Sequence, residues 1–144
     1  MRAVTLCLLG VLAAGCRDSP MEVVLSASAA AAQGDLVAVQ ERFSVFTVQR
    51  LERHWRQTNV QAAQGWTTLA SRLTLDGAAV EPQQEEIRGD YARVEAKAGT
   101  ARRDYFLRKV DGVWRIELGA GPRFRRLAQA ADESAAGAGE KPDG

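Results

Sequence analysis

His54 and Tyr105 are the side chains best suited to acid–base chemistry in this chain of 144 residues, and neither has an accomplice at a telling spacing. His54 is the single histidine. It stands beside Trp55 without an HxxxH or HxxE partner, so it matches no zinc ligand pair. The bland reading is a histidine packed at a helix edge. Tyr105 could donate a proton or hydrogen bond inside an apolar pocket, although a buried tyrosine most often serves the core with its hydroxyl satisfied. "GDLVAV" lacks the Lys-Ser/Thr element of a phosphate loop, and no GxSxG nucleophile turn occurs. No catalytic residue, metal site or cofactor is therefore expected. Trp55, Trp66, Tyr105 and Trp114 are the candidates for lining a ligand pocket, against the plainer reading that aromatics at core spacing are core. "GPRFRRL" places Arg123, Arg125 and Arg126 around Phe124, a cluster that would suit contact with anionic lipid headgroups. Its bland reading is a solvated end of the fold with Phe124 tucked against the core.

The charge balance excludes one class of partner. Of 19 basic and 18 acidic side chains, Arg2 and Lys141 on one side lie in the terminal segments. So do Asp132, Glu133, Glu140 and Asp143 on the other, which leaves 17 basic against 14 acidic between them. An excess of three is too small to expect nucleic acid.

The ends of the chain carry an address. "MRAVTLCLLGVLAAG" starts with Arg2, continues as an apolar run and finishes in small residues, the layout of a secretory signal peptide over residues 1–15. The run is shorter than the roughly 20 apolar residues of a membrane span. A cysteine follows at once, and "LAAGC" resembles the lipobox of bacterial lipoproteins. Ala14, Gly15 and Cys16 match that pattern; Leu12 lies one position earlier than its usual leucine. The resemblance implies that Cys16 becomes the first mature residue, bearing a diacylglyceryl group and an amide-linked palmitate-type chain. It places the protein in the bacterial cell envelope, anchored to a membrane by lipid. Arg17 stands where an aspartate is linked to inner-membrane retention, which points to the outer membrane facing the periplasm. The alternative is a plain secretory signal with an incidental cysteine. With Cys7 removed and Cys16 lipidated no thiol remains, so the domain would stand on its hydrophobic core alone.

Residues 16–127 form one α+β domain in this reading, and residues 128–144, "AQAADESAAGAGEKPDG", a disordered tail with no large apolar residue. Ser19, Pro20 and Glu22 fit the N-cap, first and third positions of a helix that Gly34 ends. Asp35 caps a second helix through "LVAVQERF", with Leu36, Val39 and Phe43 on one side. Thr47 starts a third, with Val48, Leu51 and Trp55 at helical spacing. A fourth runs from about Asn59 to Leu73, with Trp66, Leu69, Ala70 and Leu73 as its buried stripe.

Three turn signals then organise a meander: Gly89-Asp90, Gly99-Thr100 and Asp111-Gly112. Taken as two-residue hairpin loops, they pair Ile87 with Ala92, Val94 with Tyr105, and Ala92 with Leu107. They also pair Leu107 with Ile116 and Tyr105 with Leu118. One face then holds Ile87, Ala92, Val94, Ala96, Tyr105, Leu107, Trp114, Ile116 and Leu118. The other, with Glu86, Arg93, Glu95, Asp104, Phe106, Arg108, Arg115 and Glu117, is a wet surface. One extra residue in any loop would flip this agreement.

Helices followed by an antiparallel meander define the α+β class. The helix ending in "AAQGDLVAV", the alternating "GDYARVEA" and the closing "DYFLRKVDGVWRI" resemble the nuclear transport factor two-like superfamily, and within it small lipoproteins of unknown function. The resemblance covers Pro20 to Leu118 and implies N-terminal helices packed on a curved sheet that closes into a cone. Two functions follow as expectations. One is a lipid-anchored, non-enzymatic binding module for an envelope protein or a small apolar ligand. The other is a cone-fold enzyme of the isomerase or cyclase kind with a pocket near Tyr105, which would need an inward carboxylate close to that residue.

Overall fold

The computed structural model describes residues 18–138. The expected signal peptide, the expected lipidation site Cys16 and residues 139–144 lie outside them. Four helices come first: α1 (Pro20–Gln33), α2 (Leu36–Glu41), α3 (Val45–Gln57) and α4 (Ala62–Leu73). Their boundaries follow local chemistry. Ser19 and Glu22 form a reciprocal capping box at α1, and Gly34 ends that helix in the left-handed region. The Asp35 carboxylate accepts the Ala38 amide at 3.0 Å to cap α2. Helix α3 starts two residues before the expected Thr47, because Ser44 takes the N-cap and accepts the Thr47 amide at 3.2 Å.

A short hairpin, β1 (Thr74–Leu75) and β2 (Ala78–Ala79), turns through Asp76 and Gly77 and was not foreseen. The main sheet is β3 (Glu81–Arg88), β4 (Tyr91–Ala98), β5 (Ala101–Val110) and β6 (Val113–Ile116), in the order β3-β4-β5-β6 and antiparallel throughout. The protein is thus an α+β domain with N-terminal helices and a β-meander. The register is the expected one: Ile87 opposite Ala92, Val94 opposite Tyr105, Ala92 opposite Leu107, and Leu107 opposite Ile116. Asp111 and Gly112 both adopt positive φ, the backbone that a two-residue turn between twisted strands demands.

Helices α1 to α4 cover the inner face of the sheet. Val23, Val24, Ala27, Val39, Phe43, Trp55, Trp66 and Leu73 pack there against Ala92, Val94, Ala96, Leu107, Trp114 and Ile116. One polar group ties the layers together. The buried Ser28 hydroxyl donates to the Leu73 carbonyl at 2.8 Å and accepts the Val80 amide at 2.8 Å. Ser28→Ala would strand the Val80 amide in the core and leave the Leu73 carbonyl only the long bond from the Tyr105 hydroxyl, and is expected to cost about 2 kcal/mol. Urea melts followed by tryptophan fluorescence would measure it, and a loss below about 0.5 kcal/mol would show that the hydroxyl carries no such duty.

Three sequence expectations are corrected. Ile87 is 47 % exposed rather than buried. It sits on an outer strand, and α1 begins only level with Glu85, whose carboxylate accepts the Met21 amide at 3.2 Å. Ile87 lies two residues beyond that cover. Second, the outer face of the sheet is not simply wet. Helix α5 (Gly121–Ala138) lies on it, with Phe124 buried and its ring 5.9 Å from that of Phe106. Third, residues 128–138 continue α5 as helix where a tail was expected. They bury little, as their composition requires. Alanine nevertheless propagates a helix from an anchored first turn at almost no cost, and the Gln129 amide donates to Glu133 at 3.0 Å one turn on.

Candidate functional site

The site arises where β6 stops short. The chain leaves the sheet after Ile116: the Leu118 amide donates to the Thr47 hydroxyl at 3.1 Å, and its carbonyl accepts from the Arg50 guanidinium at 3.2 Å. The expected pairing of Tyr105 with Leu118 therefore does not form, and Leu118 is 38 % exposed. The last contact along this edge of β5 is the Glu117 amide on the Phe106 carbonyl at 3.0 Å. From Ala101 to Tyr105 the edge has no neighbouring strand.

A cleft of about 460 Å³ opens beside that edge. Its apolar wall is Phe43, Leu69, Leu73, Tyr105, Ile116 and Leu118. Arg72 and Arg103 stand among its lining residues. Arg103 donates to the Arg72 carbonyl at the end of α4, a favourable place for a cation. Neither arginine has a carboxylate partner among the described residues.

Tyr105 is the one expected pocket residue that reaches this cleft. Its hydroxyl donates to the Leu73 carbonyl at 3.5 Å. Burial pushes its ionisation above the usual tyrosine range, and the nearby Arg103 charge opposes that only in part, so it stays a neutral donor at physiological pH. Two carboxylates also stand among the cleft's lining residues, and each faces an arginine: Asp104 lies 3.8 Å from Arg93, and Glu117 lies 3.8 Å from Arg108.

The tryptophans belong to the core. The rings of Trp55 and Trp66 meet edge-on at 5.3 Å, and Phe43 meets Trp66 edge-on at 5.8 Å. Trp114 is buried with the Lys109 ammonium 5.4 Å from its ring. Trp66 and Trp114 thus stay away from the cleft. Trp55 and the exposed His54 border a separate depression of about 350 Å³ between α3 and α4. His54 lies in the last turn of α3, where its ring has no hydrogen-bond partner among the described residues.

The Arg123, Arg125 and Arg126 cluster forms the first turns of α5. Arg123 donates to the Tyr91 hydroxyl at 3.0 Å, and that bond lifts its already high pKa further. Arg125 lies 5.7 Å from the Phe106 ring centre, and Arg126 donates to the Pro122 carbonyl at 3.4 Å. Two of the three therefore hold α5 against the sheet. Among the described residues no three of His, Cys, Asp and Glu gather as a metal site would require, and no helix is long and apolar enough to cross a membrane.

Sequence reasoning missed Leu69, Arg72, Arg103 and Leu118 as cleft residues. No local signal marks them; they meet only because β6 ends early. Compared with protein-family models, curated proteins and solved structures, the chain matches none of them.

Proposed function

We propose that this chain is a lipid-anchored cell-envelope domain that holds a small apolar ligand bearing an anionic group. The cleft beside the open edge of β5 carries this reading. Apolar walls with a few placed polar groups are what a small-molecule site needs, and Arg72 and Arg103 lack carboxylate partners among the described residues. An acyl chain would lie against Leu69, Leu73, Tyr105 and Leu118, with its anionic end toward Arg72. The enzyme alternative needs a carboxylate free to act beside Tyr105; Asp104 and Glu117 line the cleft, but each is held 3.8 Å from an arginine, Arg93 and Arg108. On the sequence motifs we also put forward a kinship with the nuclear transport factor two-like superfamily, with which an α+β domain of N-terminal helices and a β-meander is compatible.

Titration of the protein with a fluorescent medium-chain fatty acid tests the binding claim. Saturable binding is expected. Arg72→Glu should weaken it about tenfold, equivalent to about 1.4 kcal/mol, while leaving the corresponding fatty alcohol unaffected. Leu118→Glu, on the exposed lip, should weaken both. Absence of saturable binding to the wild-type chain would overturn the reading.

The anchor has its own test. Cys16→Ser is expected to abolish incorporation of labelled palmitate and to release the protein from the membrane fraction. Label and pelleting retained by the variant would refute it.

A further inference from the structure

Resting on the anchor reading, we infer that the corner where α2 meets α3 is the surface with which this domain lies against an anionic lipid bilayer. The described chain begins at this corner. Asp18 stands two positions after Cys16, and its carboxylate pairs with Arg42 at 3.2 Å, at the C-cap of α2. Two residues span at most about 7 Å. A lipid on Cys16 therefore enters the membrane close to Arg42, and that corner cannot stand far from the bilayer surface.

The corner also displays apolar side chains: Val37, Val45 and Phe46 are 69 %, 53 % and 55 % exposed, the three most exposed large hydrophobic side chains among the described residues. Val37 and Val45 flank an open depression of about 770 Å³ that Arg42 and Arg115 also line. Glu41 is the carboxylate among the lining residues, its backbone carbonyl accepting from Arg115 at 2.8 Å, and Asp18 adds a second carboxylate at Arg42. The Arg108 guanidinium lies 5.6 Å from the Phe46 ring centre. Apolar side chains set among arginines, beside a lipid attachment point, are the composition of an interfacial contact: the apolar groups enter the acyl boundary while the cations meet headgroup phosphates.

The experiment uses the full chain purified from membranes in detergent. It is reconstituted in vesicles of phosphatidylethanolamine and phosphatidylglycerol that carry a photoactivatable phospholipid. Crosslinked peptides are then mapped by mass spectrometry. Crosslinks concentrated between Val37 and Phe46 are expected. The double substitution V45D/F46D should reduce them several-fold while flotation with the vesicles is unchanged. Both positions lie in the first turn of α3, where added negative charge favours the helix, so the fold should survive. Crosslinks confined to α4 or to α5, or unchanged in the double variant, would overturn the proposal and leave the anchor standing. Failure of the wild-type protein to float would overturn the anchor reading and this proposal together.

Discussion

Ile116→Asp is expected to abolish the folded domain. Ile116 is 3 % exposed, lies opposite Leu107 and ends the edge strand β6 with its side chain on the inner face. Its backbone also fastens the helical layer to the sheet: its amide donates to the Arg42 carbonyl at 2.8 Å, and its carbonyl accepts the Ser44 amide at 2.9 Å. An aspartate here loses the packing of a large aliphatic side chain, worth about 2–5 kcal/mol. It also places a charge in the apolar packing between sheet and helices, which costs several kcal/mol more or forces protonation. Together these are comparable with the whole stability of a domain this size, about 5–15 kcal/mol. Far-ultraviolet circular dichroism and urea titration would read the outcome. Lys97→Gln, at an exposed position on the outer face, should change stability by less than about 0.5 kcal/mol. A cooperative melt for Ile116→Asp near that of the wild type would mean the inner and outer faces are misassigned.

The second large effect is expected at Gly65, and its sign is informative. In the exposed interior of a helix, glycine to alanine stabilises by about 1 kcal/mol. Gly65 is buried in α4, however, and lies against the face of the Trp55 indole. A β-carbon there would come within 2.7 Å of three ring atoms of Trp55. The ring has little room to retreat, because it is itself buried and set edge-on against Trp66. Overpacking of this kind costs about 1–3 kcal/mol and sometimes more. Gly65→Ala is therefore expected to destabilise by about 2 kcal/mol net, with a shift in tryptophan fluorescence and near-ultraviolet dichroism. A gain of about 1 kcal/mol would show that α4 does not approach Trp55 so closely. By propensity alone a glycine at position 65 only disfavours a helix. Its reason is the close approach of a ring from another helix.

Glu117 shows how a correct parity assignment can still mislead about environment. It lies on the outer face as the register requires, yet its side chain is only 14 % exposed and its Oε2 has no hydrogen-bond partner among the described residues. Arg108, at 3.8 Å, is its counter-charge. The same Arg108 guanidinium lies 5.6 Å from the Phe46 ring and 5.9 Å from the Tyr91 ring. Alternation assigns a residue to a side of the sheet; it does not say what the rest of the chain lays over that side.

What was legible from the residues depended on interactions a few positions apart. The Ser19–Glu22 box, the Asp35 cap, the Gly34 stop and the Asp111-Gly112 turn are each decided by neighbours in the chain. The alternation of strand side chains carries such local decisions across the whole meander, because a slip of one residue would expose Val94 and Leu107 and bury Arg93 and Arg108. Other features rest on contacts between segments far apart, where several local solutions compete and the best-packed one prevails. Whether Leu118 pairs with Tyr105 or turns to Thr47 and Arg50 is such a choice, and the cleft exists because the second option won. Likewise Phe106 attracts Phe124 to the outer face, and α5 follows it onto the sheet. The tryptophans, equally plausible as pocket or core by type, become core because α3, α4 and the sheet close around them. Short-range hydrogen bonding and side-chain period can be read from the chain itself; which surfaces remain uncovered is settled only when all the elements have packed.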